Sequence, residues 1–170
     1  MPDDRLPPST YDQDFDIWTL SQAAALRAVG AAVARGEVTP DARLLALDWD
    51  NLAEEIESLG RRDRRELSTR LALIMEHLLK LEFSHHADPR QGWIVTVRRE
   101  RRQITMLVND SPSLRRLIPV LIHSEGQGAF EDAIAALAAH GEKIDASSRL
   151  ARHYTEDEVL GPWLPDLPTS

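Results

Sequence analysis

The 170-residue chain contains no cysteine. That absence excludes a disulfide scaffold, cysteine-ligated zinc, iron–sulfur clusters and thiol catalysis. Aromatic residues are scarce, with three Phe, four Trp and two Tyr. So few rings cannot tile a single-strand nucleic-acid platform, which stacks successive bases on aromatic side chains. No uninterrupted run of about 18 apolar residues occurs, so no membrane span is expected. The first ten residues, Met-Pro-Asp-Asp-Arg-Leu-Pro-Pro-Ser-Thr, lack the basic-then-apolar order of a secretory signal. The expected location is the cytoplasm. A Gly-rich phosphate loop, a Gly-x-Ser-x-Gly elbow and a His-Glu-x-x-His pair are all missing. With them go the common nucleotide, hydrolase and zinc-protease readings.

What is present is helical periodicity. Phe15, Trp18, Leu26, Val29 and Val33 recur near a 3.6 period among many alanines, the best helix formers. Gly36 follows as a stop, and Thr39-Pro40-Asp41 marks a break. Leu45, Trp49, Leu52, Ile56 and Leu59 step by four and three along one helix face. Gly60 then stands where a C-terminal cap is expected, and Asp63 with Glu66 has the spacing of a new capping box. A separate helix is therefore predicted through Leu67, Leu71, Ile74, Leu78 and Leu81, over 62–84 without Gly or Pro. The stretch Ile94, Val97, Arg101, Ile104 and Val108 also steps by three and four, which favours helix despite its β-branched start. A short turn at 113–118 precedes a longer helix from Pro119 to about His140. Gly126 and Gly128 inside it predict close helix packing. Thr155 with Glu156, Asp157 and Glu158 reads as an N-cap followed by an acidic first turn. The expected architecture is an all-α, single-domain helical bundle of about five helices. Its domain spans 11–165, between a disordered N-terminal tail at 1–10 and a C-terminal tail at 166–170.

Charge is unevenly spread. Residues 61–116 hold 13 basic and 7 acidic side chains, a balance of +6, and the remainder holds 7 and 21, a balance of −14. The dense basic positions are Arg61, Arg62, Arg64, Arg65, Arg98, Arg99 and Arg102. They are candidate phosphate contacts, since local field outweighs net charge in such binding. Alternatively they neutralise the acidic stretch at 48–57, or are simply solvated.

Glu54 and Glu57 share a helix face, as do Asn51 and Glu55. Paired carboxylates can act as acid and base or bind a metal. An exposed acidic face is the plainer alternative. Glu82-Phe83-Ser84-His85 has Glu-x-x-His spacing, but diiron bundles use two such motifs and this chain has one. No metal or cofactor is expected. His85 and His86 fall at a helix end, where a cation suits the dipole. His77 flanks the apolar stripe of the longest helix. It is read as a hydrogen-bonded half-buried side chain or a general base, though no nucleophile or oxyanion hole accompanies it. Arg101 on an apolar face must find a partner, and the carboxylates at 54, 55 and 57 are the expected supply.

Several segments, taken in order, resemble a known bacterial family. They are Tyr11-Asp12-Gln13-Asp14-Phe15 with Trp18, the string Asn51-Leu52-Ala53-Glu54-Glu55-Ile56-Glu57-Ser58-Leu59-Gly60, Glu76-His77-Leu78-Leu79-Lys80, Trp93 with Arg101-Arg102-Gln103-Ile104, and Asn109-Asp110-Ser111-Pro112-Ser113. Together with Tyr154-Thr155 and Trp163-Leu164-Pro165 they resemble domain of unknown function 29 across roughly residues 10–165. The resemblance implies an all-helical fold and transfers no catalytic residue. It adds Lys80, Trp93 and Ser111 to the polar positions of interest. Leu81, where an aromatic is expected, and the His85-His86 pair depart from the pattern, which weakens a metal site at His85. The candidate cluster is Asn51, Glu54, Glu55, His77, Lys80, Trp93 and Arg101. The expected role is a non-enzymatic module binding a protein partner or itself. Nucleic-acid binding through the arginines, and a small-molecule or metal enzyme using the Glu/His positions, are the alternatives.

Overall fold

Asp14 starts the first long helix by the local chemistry expected of it. Its extended backbone (φ −159°, ψ 96°) and its side chain, which accepts from Ile17 N–H at 3.0 Å, cap α2 (Phe15–Ala34). A short helix, α1 (Thr10–Gln13), precedes it. At the other end Gly36 adopts φ 72°, where a β-carbon would be strained. The amides of Gly36 and Glu37 reach back to Val33 and Ala32 and close a Schellman motif. The structure, a computed structural model, describes residues 10–39, 41, 44, 46–142 and 153–166. Of the expected tails at 1–10 and 166–170, residues 1–9 and 167–170 lie outside the described residues, as do Pro40 and the stripe residue Leu45, while Thr10 opens α1.

The remaining elements are α3 (Trp49–Phe83), α4 (Arg90–Asp110), a 3-10 turn (Pro112–Leu117), α5 (Ile118–Ala139) and α6 (Glu156–Leu160). No strand occurs among the described residues, and the all-α expectation holds. The β-branched start of α4 is helical, as its spacing predicted. Pro119 occupies the first turn of α5, where its missing N–H costs nothing. Thr155 and Glu158 form a reciprocal capping box on α6.

One expectation is overturned. Gly60 does not end a helix: α3 runs unbroken through it for 35 residues. The reason is packing. A β-carbon at residue 60 would stand 2.5 Å from Thr19 Oγ1 and 3.1 Å from Asp16 Oδ1. Glycine there lets α2 approach α3, and helical propensity is given up for that contact. The opposite holds at Gly126 and Gly128, where a β-carbon would meet nothing within 4 Å. The close packing expected around them is absent.

The chain divides into two compact units. The first comprises the described residues of Met1–Arg65 with Val108–Leu114, and the second those of Glu66–Leu107 with Arg115–Ser170. In the first unit α2 and the opening half of α3 form an antiparallel hairpin. Thr19 meets Gly60, and a β-carbon at Gly30 would stand 2.7 Å from Trp49 Cβ. Ala23 and Ala53, 1% and 0% exposed, complete a seam of small residues. The predicted stripe of this stretch is turned from its expected place. Ala53 and Gly60 are buried, whereas Leu52 and Leu59 are 39% and 36% exposed.

The second unit holds the large side chains. Leu67, Leu71, Ile74, Leu78 and Leu81 are fully buried, as their spacing predicted. Val97 and Ile104 of α4, Ile118, Phe130 and Leu137 of α5, and Val159 of α6 are buried with them. Each such side chain contributes about 1.5–3 kcal/mol on leaving water. Phe83 meets Phe130 edge to face at 6.2 Å.

Candidate interaction surface

The carboxylates singled out in the sequence answer to nearby arginines. Glu57 accepts from Arg27 at 2.6 Å and lies 3.3 Å from Arg61, while Glu54 bonds Arg61 and lies 3.7 Å from Arg27. The hydrogen bond from Arg27 holds the Glu57 carboxyl below its ordinary value and raises the guanidinium in turn. This four-membered lattice on one flank of the α2–α3 hairpin leaves no ionisable pair poised as acid and base. Glu55 is exposed and forms no ion pair among the described residues. Asn51 belongs to the cap of α3: its amide N–H and its side chain both donate to the carboxylate of Asp48, at 3.1 and 2.6 Å.

The candidate phosphate contacts divide. Arg61 is committed to Glu54 and Glu57, Arg64 grips Asp16 with two bonds of 2.9 and 3.1 Å, and Arg99 donates to Glu100 at 2.8 Å. Among the described residues Arg62, Arg65, Arg98 and Arg102 are exposed and form no ion pair. Burial pushes Glu100 up, but the hydrogen bonds from Arg99 and Arg70 outweigh it and leave the carboxyl below its ordinary value.

His77 is half-buried, and its Nδ1–H donates to Leu73 O at 2.9 Å. Burial lowers its pKa, and the nearby Lys80 charge acts in the same direction. Lys80 is buried and paired with Glu76 one turn away. Trp93 is half-buried in the first turn of α4. Arg101 corrects another expectation. Its partners are backbone carbonyls, not the carboxylates at 54, 55 and 57: it donates to Val159 O and Glu158 O at 2.8 Å and to Trp163 O at 2.9 Å. The carbonyls of Glu158 and Val159 are orphan acceptors in the last turn of α6 and that of Trp163 lies just beyond it, so the guanidinium serves as a C-cap. Burial lowers its pKa, with Arg98 adding to the effect. Asn51, Glu54 and Glu55 fall in the first unit and His77, Lys80, Trp93 and Arg101 in the second. Among the described residues no side-chain hydrogen bond or ion pair within either unit joins any two of them. Among the described residues no group of three His, Asp or Glu side chains is arranged to hold a metal ion.

The other flank of the hairpin has a different character. The contacts of Thr19 with Gly60 and of Arg27 with Glu57 fix the rotation of both helices. At 100° per residue, Phe15, Trp18, Gln22, Leu26, Val29 and Val33 then share one side of α2. Trp49, Leu52, Ile56 and Leu59 share the adjoining side of α3. Val29, Leu52 and Leu59 are 43%, 39% and 36% exposed, and Trp18 and Ile56 are half-buried. At one end Tyr11 stands edge-on to Phe15 and Trp18, at 5.5 and 4.9 Å. The helix α2 is also long and apolar enough to cross a membrane by length and composition, with a mean hydropathy of 1.2 and 11% of that window buried. That test is one of length and composition alone, and no uninterrupted apolar run of this length occurs in α2, because Asp16, Thr19, Ser21, Gln22 and Arg27 punctuate it.

The sequence matches the family described as domain of unknown function DUF29 over residues 10–162. The chain belongs to the DUF29 family. An α-helical protein of unknown function from Rhodospirillum rubrum is similar in structure, with a TM-score of 0.62 and 24% sequence identity over 94% of this chain and 100% of that one. At that identity the likeness carries the fold alone. No curated protein matches this DUF29 chain.

Two constellations in the DUF29 chain escaped the sequence reading. Around Asp16, which is 4% exposed, Arg64 supplies its two bonds, Thr19 Oγ1 donates to Asp16 O at 2.8 Å, and Asp16 N–H donates to Ser111 Oγ at 3.2 Å. Ser113 donates its N–H and its hydroxyl to Asp14, at 2.6 and 2.8 Å. Ser111 carries no signal beyond the family resemblance, and nothing local marks Asp14 or Asp16 as its neighbour. The second is Arg90, buried and donating to Leu81 O at 2.6 Å and Pro165 O at 2.8 Å. Among the described residues no buried side-chain polar atom lacks a partner. Both constellations are thus closed structural networks.

Proposed function

We propose that this DUF29 chain is a helical interaction module that binds a protein through the uncharged flank of the α2–α3 hairpin. One observation carries the reading: Val29, Leu52 and Leu59 stand 43%, 39% and 36% exposed in a row of apolar side chains that spans two adjacent helices. Large contiguous apolar surface is uncommon on a protein that acts alone, and it marks interaction sites. The polar candidates support no competing chemistry. Glu54, Glu57 and Lys80 are committed to ion pairs and Arg101 to carbonyls, and His77 has no nucleophile beside it. Nucleic-acid binding finds less support, since Arg61, Arg64 and Arg99 already hold carboxylates.

The test is photocross-linking in the native cell with a photoreactive residue at position 59. Discrete protein adducts that vanish when Leu52→Glu is added support the reading. A chain that yields no adduct, while a probe at exposed Val120 behaves the same, refutes it.

A further inference from the structure

We infer that the occupant of this flank is a second copy of the same chain, so that two α2–α3 hairpins close into a four-helix arrangement. The inference rests on the interaction reading above and names its partner. Its first support is charge. From Phe15 to Val33 on α2 and from Trp49 to Leu59 on α3, the flank holds one polar side chain, Gln22, and no charge. In a two-fold interface every residue near the axis meets its own copy, so like charges there repel and an uncharged surface is self-complementary. The charged side chains, Arg27, Glu54, Glu57 and Arg61, stand on the opposite flank and neutralise one another there.

The second support is area. The uncharged stretch covers Phe15 to Val33 of α2 and Trp49 to Leu59 of α3, before Asp63 appears on the same side. At ~1.5 Å per residue and a diameter of ~10 Å, it presents roughly 450 Å² in projection. Side-chain relief enlarges that figure in accessible surface. The projected figure alone is more than half of the ~800 Å² per partner of a standard stable interface. The third support is architecture. Two antiparallel helices joined by small residues leave an apolar groove along one side. Packing a second pair into it gives the four-helix geometry in which such stripes are ordinarily covered. The spacing of Leu52, Ile56 and Leu59, which reads as a buried stripe, is then satisfied between copies.

Sedimentation of the full chain from about 1 to about 100 µM tests the assignment. The expected result is a species of twice the chain mass. Leu52→Glu with Leu59→Glu should weaken its dissociation constant by about 100-fold or more, with unchanged far-ultraviolet circular dichroism. Leu20→Glu, on the opposite flank, should leave it unaltered. Because the chain lacks cysteine, a nitroxide on Glu55→Cys is the sole label, and one narrow intermolecular distance is expected from it. A dimer that survives the double glutamate variant overturns the assignment. So does a monomer that floats with phosphatidylglycerol–phosphatidylethanolamine vesicles, which would assign the flank to a bilayer. A monomer that still gives adducts with other proteins at position 59 overturns the second copy and leaves the interaction reading standing. A monomer without adducts overturns both.

Discussion

Replacing Gly60 with alanine separates two readings of that residue. In an exposed helix interior the change is worth about 1 kcal/mol in favour of alanine. At Gly60 the new methyl would stand 2.5 Å from Thr19 Oγ1. Thr19 is fully buried, and its hydroxyl is tied to Asp16 O at 2.8 Å, so it cannot step aside cheaply. Overpacking of this kind costs about 1–3 kcal/mol. Gly60→Ala should therefore gain nothing or destabilise the protein by up to roughly 2 kcal/mol once the propensity gain is subtracted. Gly126 supplies the control, because a β-carbon there meets nothing within 4 Å. Gly126→Ala should stabilise by about 0.5–1 kcal/mol. Thr19→Ala removes the offending oxygen, so the double variant Thr19→Ala with Gly60→Ala should show a favourable coupling of about 1 kcal/mol. Urea unfolding followed by circular dichroism at fixed pH measures all four. If Gly60→Ala and Gly126→Ala stabilise alike, the close approach of α2 to α3 is wrong.

Three further outcomes are expected. Arg101→Leu strands three carbonyls around α6 and should cost roughly 2–3 kcal/mol; Arg101→Lys should recover little, since an ammonium cannot reproduce the guanidinium fork. Calorimetry of both variants checks this, and a full rescue by lysine would contradict the cap. Ser113→Ala removes one of the two bonds that Ser113 gives Asp14 and should lower stability by about 1 kcal/mol, while Asp14→Ala also loses the cap of α2 and should lower it by more. Equal effects would show that the cap and the Ser113 contact are not both borne by Asp14. Glu100 is held below the ordinary carboxylate value of 4.5 in the folded chain by its bonds from Arg99 and Arg70, so the unfolded chain binds more protons in acid. Its stabilising contribution is present above that value and falls away as pH drops through the folded pKa. His77, lowered from 6.5 by burial, acts with the same sign, and its contribution fades as pH falls below 6.5. Unfolding measured across pH 3–8 should become flatter in Glu100→Gln at the acid end and in His77→Gln near neutrality.

The helices were legible where one face had to be apolar throughout. Leu67 to Leu81 is the clear case, because nothing but a buried helix face explains five large side chains at that spacing. The hairpin was less legible because its seam is made of Ala23, Ala53, Gly30 and Gly60, residues too small to stand out in a hydrophobic pattern. Leu52 and Leu59, the obvious stripe, lie beside the seam. Gly60 sends the same local signal as a helix end, and only the tertiary neighbour Thr19 shows otherwise. The candidate site fared worse for a similar reason. Arg101 was rightly expected to need partners, but carbonyl acceptors exist at every residue and leave no mark in a sequence. Asp14 and Ser113 are 99 positions apart, and only the folded chain brings them together.

The final described segment, residues 153–166, serves as an internal ligand for two cations. Arg90 reaches Pro165 O, and Arg101 reaches carbonyls at 158, 159 and 163. Shortening the protein by this handful of residues would bare two guanidinium groups built to face oxygen. Trimmed versions would then lose far more than a frayed end, and deletions that look harmless by length would behave like core lesions.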